Sequence, residues 1–165
     1  MIRVAAKNDV QQIAEVHVQS WKETYHGMIK QEILDELSVE QRVQLWNQLV
    51  DDQNHQLLVY ELNGNVAGFL DGYLNPNGVV AEIRAFYFVK EIKGKGIGRK
   101  MFKLFYQCIQ LKNFQTLRLG VINKNPSRYF YEKMGGKVVG EEEIPEYGEG
   151  IFDVFYQWDI DKLLF

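Results

Sequence analysis

The sequence has almost no cysteine, no long apolar run and no excess of positive charge. Cys108 is the only cysteine in 165 residues, so an internal disulfide or a thiolate metal site is excluded. No apolar segment approaches the ~18 residues of a membrane-spanning helix, and no stretch has the pattern of a signal peptide. There is also no internal repeat, low-complexity run or linker. We therefore expect a single cytoplasmic domain spanning residues 1–165.

The charge pattern excludes two further classes of site. The chain has a formal net charge of −3, so it does not have the excess of basic residues that is typical of nucleic-acid-binding domains. His17, His26 and His55 share no metal-ligand spacing, so no metal is expected. What the chain does have is apolar content of 46%, with ten Phe, nine Tyr and three Trp. A chain of this length and composition can bury a substantial core.

Hydrophobic spacing and turn signals predict an alternation of helices and strands. The order is a run of antiparallel hairpins, a strand–loop–helix–strand unit, and a helix followed by two closing strands. This order indicates a mixed α+β sheet protein and does not suit a doubly wound fold. Strands are predicted at 2–6, 56–62, 66–74, 79–89, 116–121, 137–140 and 152–158. Helices are predicted after Asn8 or Asp9, over 31–50 with a break and cap at Ser38, from about Gly98, and from Asn125 or Ser127 to Met134.

The stretch 82–103 carries the clearest chemical signal. An apolar strand leads into a basic glycine-rich turn at 93–98, and a helix follows. Glycine permits positive φ and close approach to the backbone, and free N–H groups at a helix start favour an anion. The turn and the first helical residues add cations at Lys93, Lys95, Arg99 and Lys100. This arrangement predicts a phosphate-binding cradle.

Spacing decides which kind of cradle this is. The dinucleotide pattern G-x-G-x-x-G fails, because Arg99 or Met101 stands at the last glycine position in the two possible frames. No Gly-Lys-Ser/Thr follows, so the P-loop pattern fails as well. A glycine-rich connection with no ligand stays open as the alternative.

Two segments resemble the GNAT acyl-CoA-dependent N-acetyltransferases. Residues 93–98 are similar to that family's pyrophosphate loop, Gln/Arg-x-x-Gly-x-Gly/Ala, although Lys93 departs from it. Residues 121–135, with Asn125 and the run Phe-Tyr-Glu-Lys at 130–133, are similar to the segment after the family's fifth strand. Gly136 departs from the family's usual Gly-Phe. The resemblance covers most of residues 66–158, and the N-terminal helices fit only loosely.

The resemblance implies a fold and a reaction. The fold would be a central, mostly antiparallel twisted sheet of six to seven strands flanked by helices, with a splayed central strand pair. The reaction would be direct transfer of the acetyl group of acetyl-CoA to an amine of a small molecule or peptide. Acetyl-CoA would be the co-substrate, and no metal would take part.

The resemblance also implies roles for individual residues. Tyr131 would protonate the departing thiolate, and Glu82 would act as base through water. Glu82 is equally compatible with a solvated strand end or an ion pair with Arg84. Arg99 and Lys100 would reach the phosphates, and Asn123 is an alternative to Asn125. The cofactor-binding residues would be Phe86, Tyr87, Phe88, Lys93, Gly94, Lys95, Gly96, Ile97, Gly98, Arg99, Asn125 and Tyr131.

The acceptor stays open at this stage. An acidic connection, Glu141–Glu143 with Glu146, Glu149 and Asp153, is either a solvated loop or an acceptor mouth that attracts a cationic amine. Alternatives are an acyl-CoA sensor without catalysis, transfer to an oxygen acceptor, and transfer of a longer acyl group. Cys108 is expected in the core. A homodimer through the C-terminal strands is possible, although their aromatic residues could equally be core.

Overall fold

The structure, a computed structural model, describes residues 1–162. The last three residues of the predicted domain lie outside the described residues. The strands are β1 (Ile2–Val4), β2 (His55–Leu62), β3 (Asn65–Leu74), β4 (Val80–Phe88), β5 (Thr116–Ile122), β6 (Lys137–Glu143) and β7 (Phe152–Asp159). The helices are α1 (Val10–Tyr25), α2 (Gln31–Asp35), α3 (Val39–Leu49), α4 (Ile97–Leu111) and α5 (Ser127–Lys133).

The seven strands form one sheet in the order β1-β2-β3-β4-β5-β7-β6. Every neighbouring pair is antiparallel except β4 and β5, which run parallel. That pair is in register only from Val80–Glu82 to Thr116–Arg118. Beyond those residues the two strands diverge. The mixed sheet of seven strands and the splayed central pair, both predicted from the sequence, are confirmed.

A β-bulge at Arg84 sets the direction of the side chains on β4. Asp71 pairs with Ala85 while Gly72 pairs with Ile83, so Arg84 has no partner on β3. A bulge inserts one residue and shifts the alternation of faces. Phe86 therefore lies on the same side of the sheet as Ile83, against the core under α4 and α5.

Helices cover both faces of the sheet. On one face, α4 and α5 pack on a core that includes Phe102, Phe105 and Trp158. On the other face, α1 and α3 pack on a second core around Trp46 and Phe69. A third apolar cluster lies at the C-terminal end of α1, where Tyr25, Ile29, Leu34, Ile122 and Ile151 meet.

Several local predictions are confirmed. The Ser38 hydroxyl accepts the Gln41 N–H at 3.3 Å and caps α3. The predicted hairpin at 63–65 joins β2 to β3. Tyr156 and Trp158 lie in the core, whereas Phe155 is half-buried. Cys108 was expected in the core, but this thiol is half-buried and contacts the Gln56 side chain at 3.7 Å. Within residues 1–162, no helix is long and apolar enough to cross a membrane.

Candidate active site

The divergence of β4 and β5 opens a cleft that runs through the sheet. One wall is β4 from Ile83 to Phe88, and the other is β5 from Leu119 to Ile122. The C-terminal half of α1 closes the cleft on one face of the sheet. The glycine-rich loop and α5 close it on the other face. The two segments singled out in the sequence, 93–98 and 121–135, therefore meet at one site.

The glycine-rich loop has the geometry of an anion cradle. Gly94 and Gly96 both have φ of +78°, and a Cβ at either position would face open space. Positive φ is strained for other residues, which explains glycine at both positions. The backbone N–H of Lys100 bonds to Gly96 at 3.2 Å, so the N–H groups of 97–99 precede the first turn of α4. Lys93 and Arg99 are also among the residues that line the cleft.

The wall formed by β4 has an unpaired backbone edge. Residues 83–88 have no partner on β5, so peptide groups on that edge are open to an extended ligand. The Ser20 hydroxyl of α1 donates to the Phe88 carbonyl at 3.2 Å. Phe86 packs edge-on against both Phe88 and Phe130, with ring centroids 5.2 and 6.1 Å apart. These rings make the α5 side of the slot apolar.

Tyr131 projects from α5 into this cleft. Its side chain packs against Phe130 and Tyr156, and only 7% of the residue is exposed. Among residues 1–162, its hydroxyl has no hydrogen-bond partner. Burial, followed by the neighbouring Tyr87 phenol, raises the pKa of Tyr131 above its ordinary value. The phenol is therefore neutral at physiological pH and can donate its proton into the cleft.

Asn125 connects the two sides of the cleft. Its Oδ1 accepts the Ser127 N–H at 2.9 Å, and its Nδ2 donates to the Tyr25 hydroxyl at 2.9 Å. Asn123, the alternative in the sequence, bonds the backbone of Gly150 and Phe152 at 3.1 Å each. Of the two asparagines, only Asn125 is among the residues that line the cleft.

Aromatic side chains that the sequence did not single out line the α1 side of the cleft. The Trp21 indole N–H donates to the Tyr87 hydroxyl at 2.9 Å. The centroid of the Trp21 ring lies 4.7 Å from that of Tyr25 and 6.2 Å from that of Tyr147. Tyr87, predicted from the resemblance to bind the cofactor, thus also directs its side chain to this wall. The i, i+4 spacing of Trp21 and Tyr25 indicates that both lie on one face of a helix. No pattern in the local sequence indicates that either residue is close to Tyr147.

One acidic side chain reaches the cleft from the acidic connection. Asp153 of β7 lines the cleft and is half-buried, whereas the glutamates of that stretch, at 141–143, 146 and 149, are exposed. Among the described residues it has no hydrogen-bond or ion-pair partner. Burial, and then the like charge of Glu142, raises the pKa of the Asp153 carboxyl.

Glu82 lies beside the cleft rather than in its wall. It borders a smaller depression that shares Arg84, Gly120 and Asp153 with the cleft. Its Oε2 accepts from the Arg84 Nε at 3.2 Å, and 38% of the Glu82 side chain is exposed. Among the predicted site residues, those in the cleft wall are Phe86, Tyr87, Phe88, Lys93, Gly94, Gly96, Gly98, Arg99, Asn125 and Tyr131; Glu82, Lys95 and Ile97 are outside it. In the described part of the chain, no cluster of His, Cys, Asp or Glu could hold a metal ion.

Comparisons with known proteins agree with this architecture. Residues 15–136, more than half of the chain, match the model of the acetyltransferase (GNAT) family. The uncharacterized N-acetyltransferase YuaI of Bacillus subtilis strain 168 is 25% identical over 95% of this chain and 91% of its own length.

Two solved structures have a similar fold. One is the PaiA N-acetyltransferase of Thermoplasma acidophilum in complex with coenzyme A, with a TM-score of 0.76 and 23% identity over 96% of this chain and 98% of its own. The other is YncA of Salmonella typhimurium with acetyl-CoA. Its TM-score is 0.77, and it is 20% identical over 100% of this chain and 96% of its own.

Proposed function

The chain belongs to the GNAT family of acyl-CoA-dependent N-acetyltransferases, and from this premise we propose that it transfers the acetyl group of acetyl-CoA directly to an amine held in the β4–β5 cleft. One observation carries the proposal: the anion cradle, the unpaired edge of β4 and the buried Tyr131 phenol all open onto the same cleft. Neither a sensor of acyl-CoA nor a structural glycine turn requires, at this position in the cleft, a phenol whose hydroxyl has no hydrogen-bond partner among residues 1–162.

The residues of the cleft fit acetyl-CoA in two places. The positive-φ glycines, the free N–H groups of 97–99 and the cations Lys93 and Arg99 would hold the pyrophosphate. Strand-like bonds to the open edge of residues 86–88 would hold the extended pantetheine arm. Lys95 and Lys100 add positive charge near the loop without contacting the interior of the cleft. Asn125 would act chiefly by fixing Tyr25 and the start of α5, since both ends of its amide are already bonded.

Acetyl transfer to an amine requires two proton movements. The acceptor ammonium, with an ordinary pKa near ~10.4, must lose a proton before its nitrogen attacks the thioester carbonyl. As the N–C bond forms and the C–S bond breaks, the leaving thiolate takes a proton from Tyr131. The Tyr131 phenolate then recovers a proton from the nitrogen of the new amide. Glu82 could remove the first proton only through water, because it lies outside the cleft wall.

The test is turnover of acetyl-CoA with a panel of primary amines, comparing the wild type with Tyr131→Phe. Removal of a proton donor commonly lowers the rate by about 10²–10⁴-fold. We expect a loss of that size in kcat, while calorimetry shows unchanged binding of acetyl-CoA. Tyr129→Phe is the matched control, because Tyr129 lies on the same helix and its side chain is exposed. Wild-type protein that binds acetyl-CoA but acetylates no amine would favour the sensor.

A further inference from the structure

We propose that Asp153 binds and deprotonates the acceptor, and that the acceptor is a primary ammonium carried on an apolar or aromatic group with no neighbouring carboxylate. This inference rests on the proposed acetyl transfer and assigns the acceptor to the α1 side of the same cleft (the acceptor half), which Trp21, Tyr25, Tyr87 and Tyr147 line. Four observations carry it. Glycine at position 120 leaves room beside the Asp153 carboxylate, and phenols surround that carboxylate. Among the described residues it has no hydrogen-bond or ion-pair partner, and aromatic rings line the same part of the cleft.

The position of Asp153 depends on the glycine beside it. Gly120 lies on β5, the strand paired with β7, and has no side chain above the sheet. A Cβ at Gly120 would lie 2.8 Å from Oδ2 and 2.9 Å from Oδ1 of Asp153. Real Cβ atoms do not approach oxygen this closely, so a larger residue at 120 would displace the carboxylate. Glycine at this position lets Asp153 lie across β5 toward the gap between β4 and β5.

Asp153 lines the cleft together with the phenols of its α1 side, Tyr25, Tyr87 and Tyr147. Burial is the main cause of the raised pKa values of these three phenols, which approach from α1, β4 and the turn after β6, and the negative charge of Asp153 adds to each. Tyr87 in turn contributes to the raised pKa of Tyr131. The carboxylate and the proposed proton donor therefore have Tyr87 as a common neighbour, and the reacting atoms would lie between them.

The acceptor half of the cleft is complementary to a cation. Asp153 has no ion-pair partner within residues 1–162, and a half-buried carboxylate is stabilised by any cation that enters. The rings of Trp21, Tyr25, Tyr87 and Tyr147 surround this space, and aromatic faces attract ammonium groups. An acceptor bearing its own carboxylate would be repelled by Asp153, and also by Glu142, which pairs with Asp153 across β6 and β7. An ammonium on an apolar group is complementary to both the Asp153 carboxylate and the aromatic rings.

Asp153 also has the chemistry to accept the first proton. One N–H bond of the ammonium breaks, the proton passes to a carboxylate oxygen of Asp153, and the freed nitrogen lone pair attacks the thioester carbonyl. Asp153 releases this proton to solvent after turnover. Burial and Glu142 raise the pKa of this carboxyl, which strengthens it as a base. Glu82, by contrast, is bonded to Arg84 and partly solvated.

The experiment measures kcat/KM for 2-phenylethylamine and for phenylalanine, which has the same skeleton with a carboxylate beside the amine. In the wild type we expect 2-phenylethylamine to be preferred by roughly 10-fold or more, because like charges in the cleft are unfavourable. In Asp153→Asn, kcat/KM for 2-phenylethylamine should fall by about 10²–10⁴-fold and the preference should be lost. Gly120→Ala, which keeps the carboxylate but displaces it, should also lose activity.

Controls separate this inference from the function on which it rests. Acetyl-CoA binding by calorimetry should be unchanged in Asp153→Asn and Gly120→Ala, which also shows that both variants are folded. Glu143→Gln removes one charge from the exposed part of the acidic connection and should keep wild-type rates. A larger loss in Glu82→Gln than in Asp153→Asn would overturn the inference, as would a wild-type preference for phenylalanine. Both results would leave acetyl transfer standing. A wild type that acetylates no amine would overturn both proposals.

Discussion

Burial shifts the pKa values of single side chains in and beside the cleft toward the neutral form. The phenols of Tyr25, Tyr87 and Tyr131 all have raised pKa values, chiefly because burial disfavours the phenolate. The ring of His17 stacks on Tyr87 at 5.1 Å and accepts the Trp46 indole N–H at 3.3 Å. Neutral groups can pack closely here. Among the described residues that line the cleft, the two acids are Asp153, which is half-buried, and Glu23, which is exposed.

His17 makes the fold sensitive to acid. Burial, followed by the positive charge of Arg42, lowers the pKa of His17 to about 3. The folded protein therefore keeps His17 neutral, and the unfolded chain, with a pKa near ~6.5, gains a proton first as pH falls. The contribution of neutral His17 to the free energy of unfolding is fully present above pH ~6.5 and is lost as pH falls toward ~3. At pH 5 the loss would be about 2 kcal/mol.

We expect His17→Gln to reduce the fall in unfolding free energy between pH 7 and pH 5, measured by urea denaturation. The readout is the difference between the two pH values, because the substitution also changes packing. His26→Gln, at an exposed position, should keep the wild-type difference. An unchanged pH dependence in His17→Gln would show that other groups carry the acid sensitivity.

Among the elements, α1 holds the two sides of the cleft in place. The Ser20 hydroxyl bonds to the Phe88 carbonyl of β4, and Trp21 bonds to Tyr87 on the same strand. One turn later, Tyr25 accepts from Asn125, which follows β5. The C-terminal half of α1 therefore connects β4 with the segment after β5. This connection explains how the sheet stays splayed without closing.

The first turn of α4 offers a clean test of the anion cradle. Gly98, unlike Gly94 and Gly96, does not have positive φ, and a Cβ there would lie 3.5 Å from Phe88, an ordinary contact. Gly98→Asp places a negative charge where phosphate would bind, and an acidic residue in the first turn is compatible with the helix. We expect the affinity for acetyl-CoA to fall by at least 10-fold in calorimetry, since like charges repel.

Gly98→Ala is the matched control, because it adds the Cβ without the charge. It should bind acetyl-CoA within a few-fold of the wild type and is expected to be at least as stable, since alanine favours helix over glycine. Equal affinity in Gly98→Asp and the wild type would show that the phosphates bind elsewhere. Substitution of Gly96 is less informative, because its φ of +78° makes any side chain strained.

In the whole molecule, the sheet consists of two parts joined weakly at its centre. The strands β1–β4 and β5–β7 are joined within the sheet by three register pairs, from Val80–Glu82 to Thr116–Arg118. The core under α4 and α5, the apolar cluster at the end of α1 and the Tyr25–Asn125 hydrogen bond supply further connections. A ligand that binds to both strands in the gap would add contacts that the unfolded chain does not have.

Acetyl-CoA should therefore raise the thermal midpoint of the wild type. At about 100 times its Kd, a ligand specific for the folded state stabilises by about 2.7 kcal/mol. For a chain of this size that corresponds to roughly 5–10 °C, measured by calorimetric or fluorescence melting. Gly98→Asp should show little shift at the same concentration. A wild-type midpoint that does not change with acetyl-CoA would contradict the proposed binding site.

Local sequence was sufficient for much of this protein. The hairpin at 63–65, the cap at Ser38 and the strand–loop–helix unit around Gly94 and Gly96 follow from backbone preferences of neighbouring residues, so they could be predicted from short segments. The two family-like segments also predicted the fold and the type of cofactor. These features require no knowledge of which distant residues meet.

Tertiary structure alone decided that Asp153 lies in the cleft. Asp153 belongs to a stretch that is indistinguishable in sequence from a solvated acidic loop, and it faces the cleft because β7 pairs with β5 beside Gly120. The bulge at Arg84 and the divergence after Glu82 determine which residues line the gap. Side-chain orientation here depends on strand register and on packing between segments far apart in the chain. Those contacts form only when the whole sheet assembles, so no local pattern encodes them.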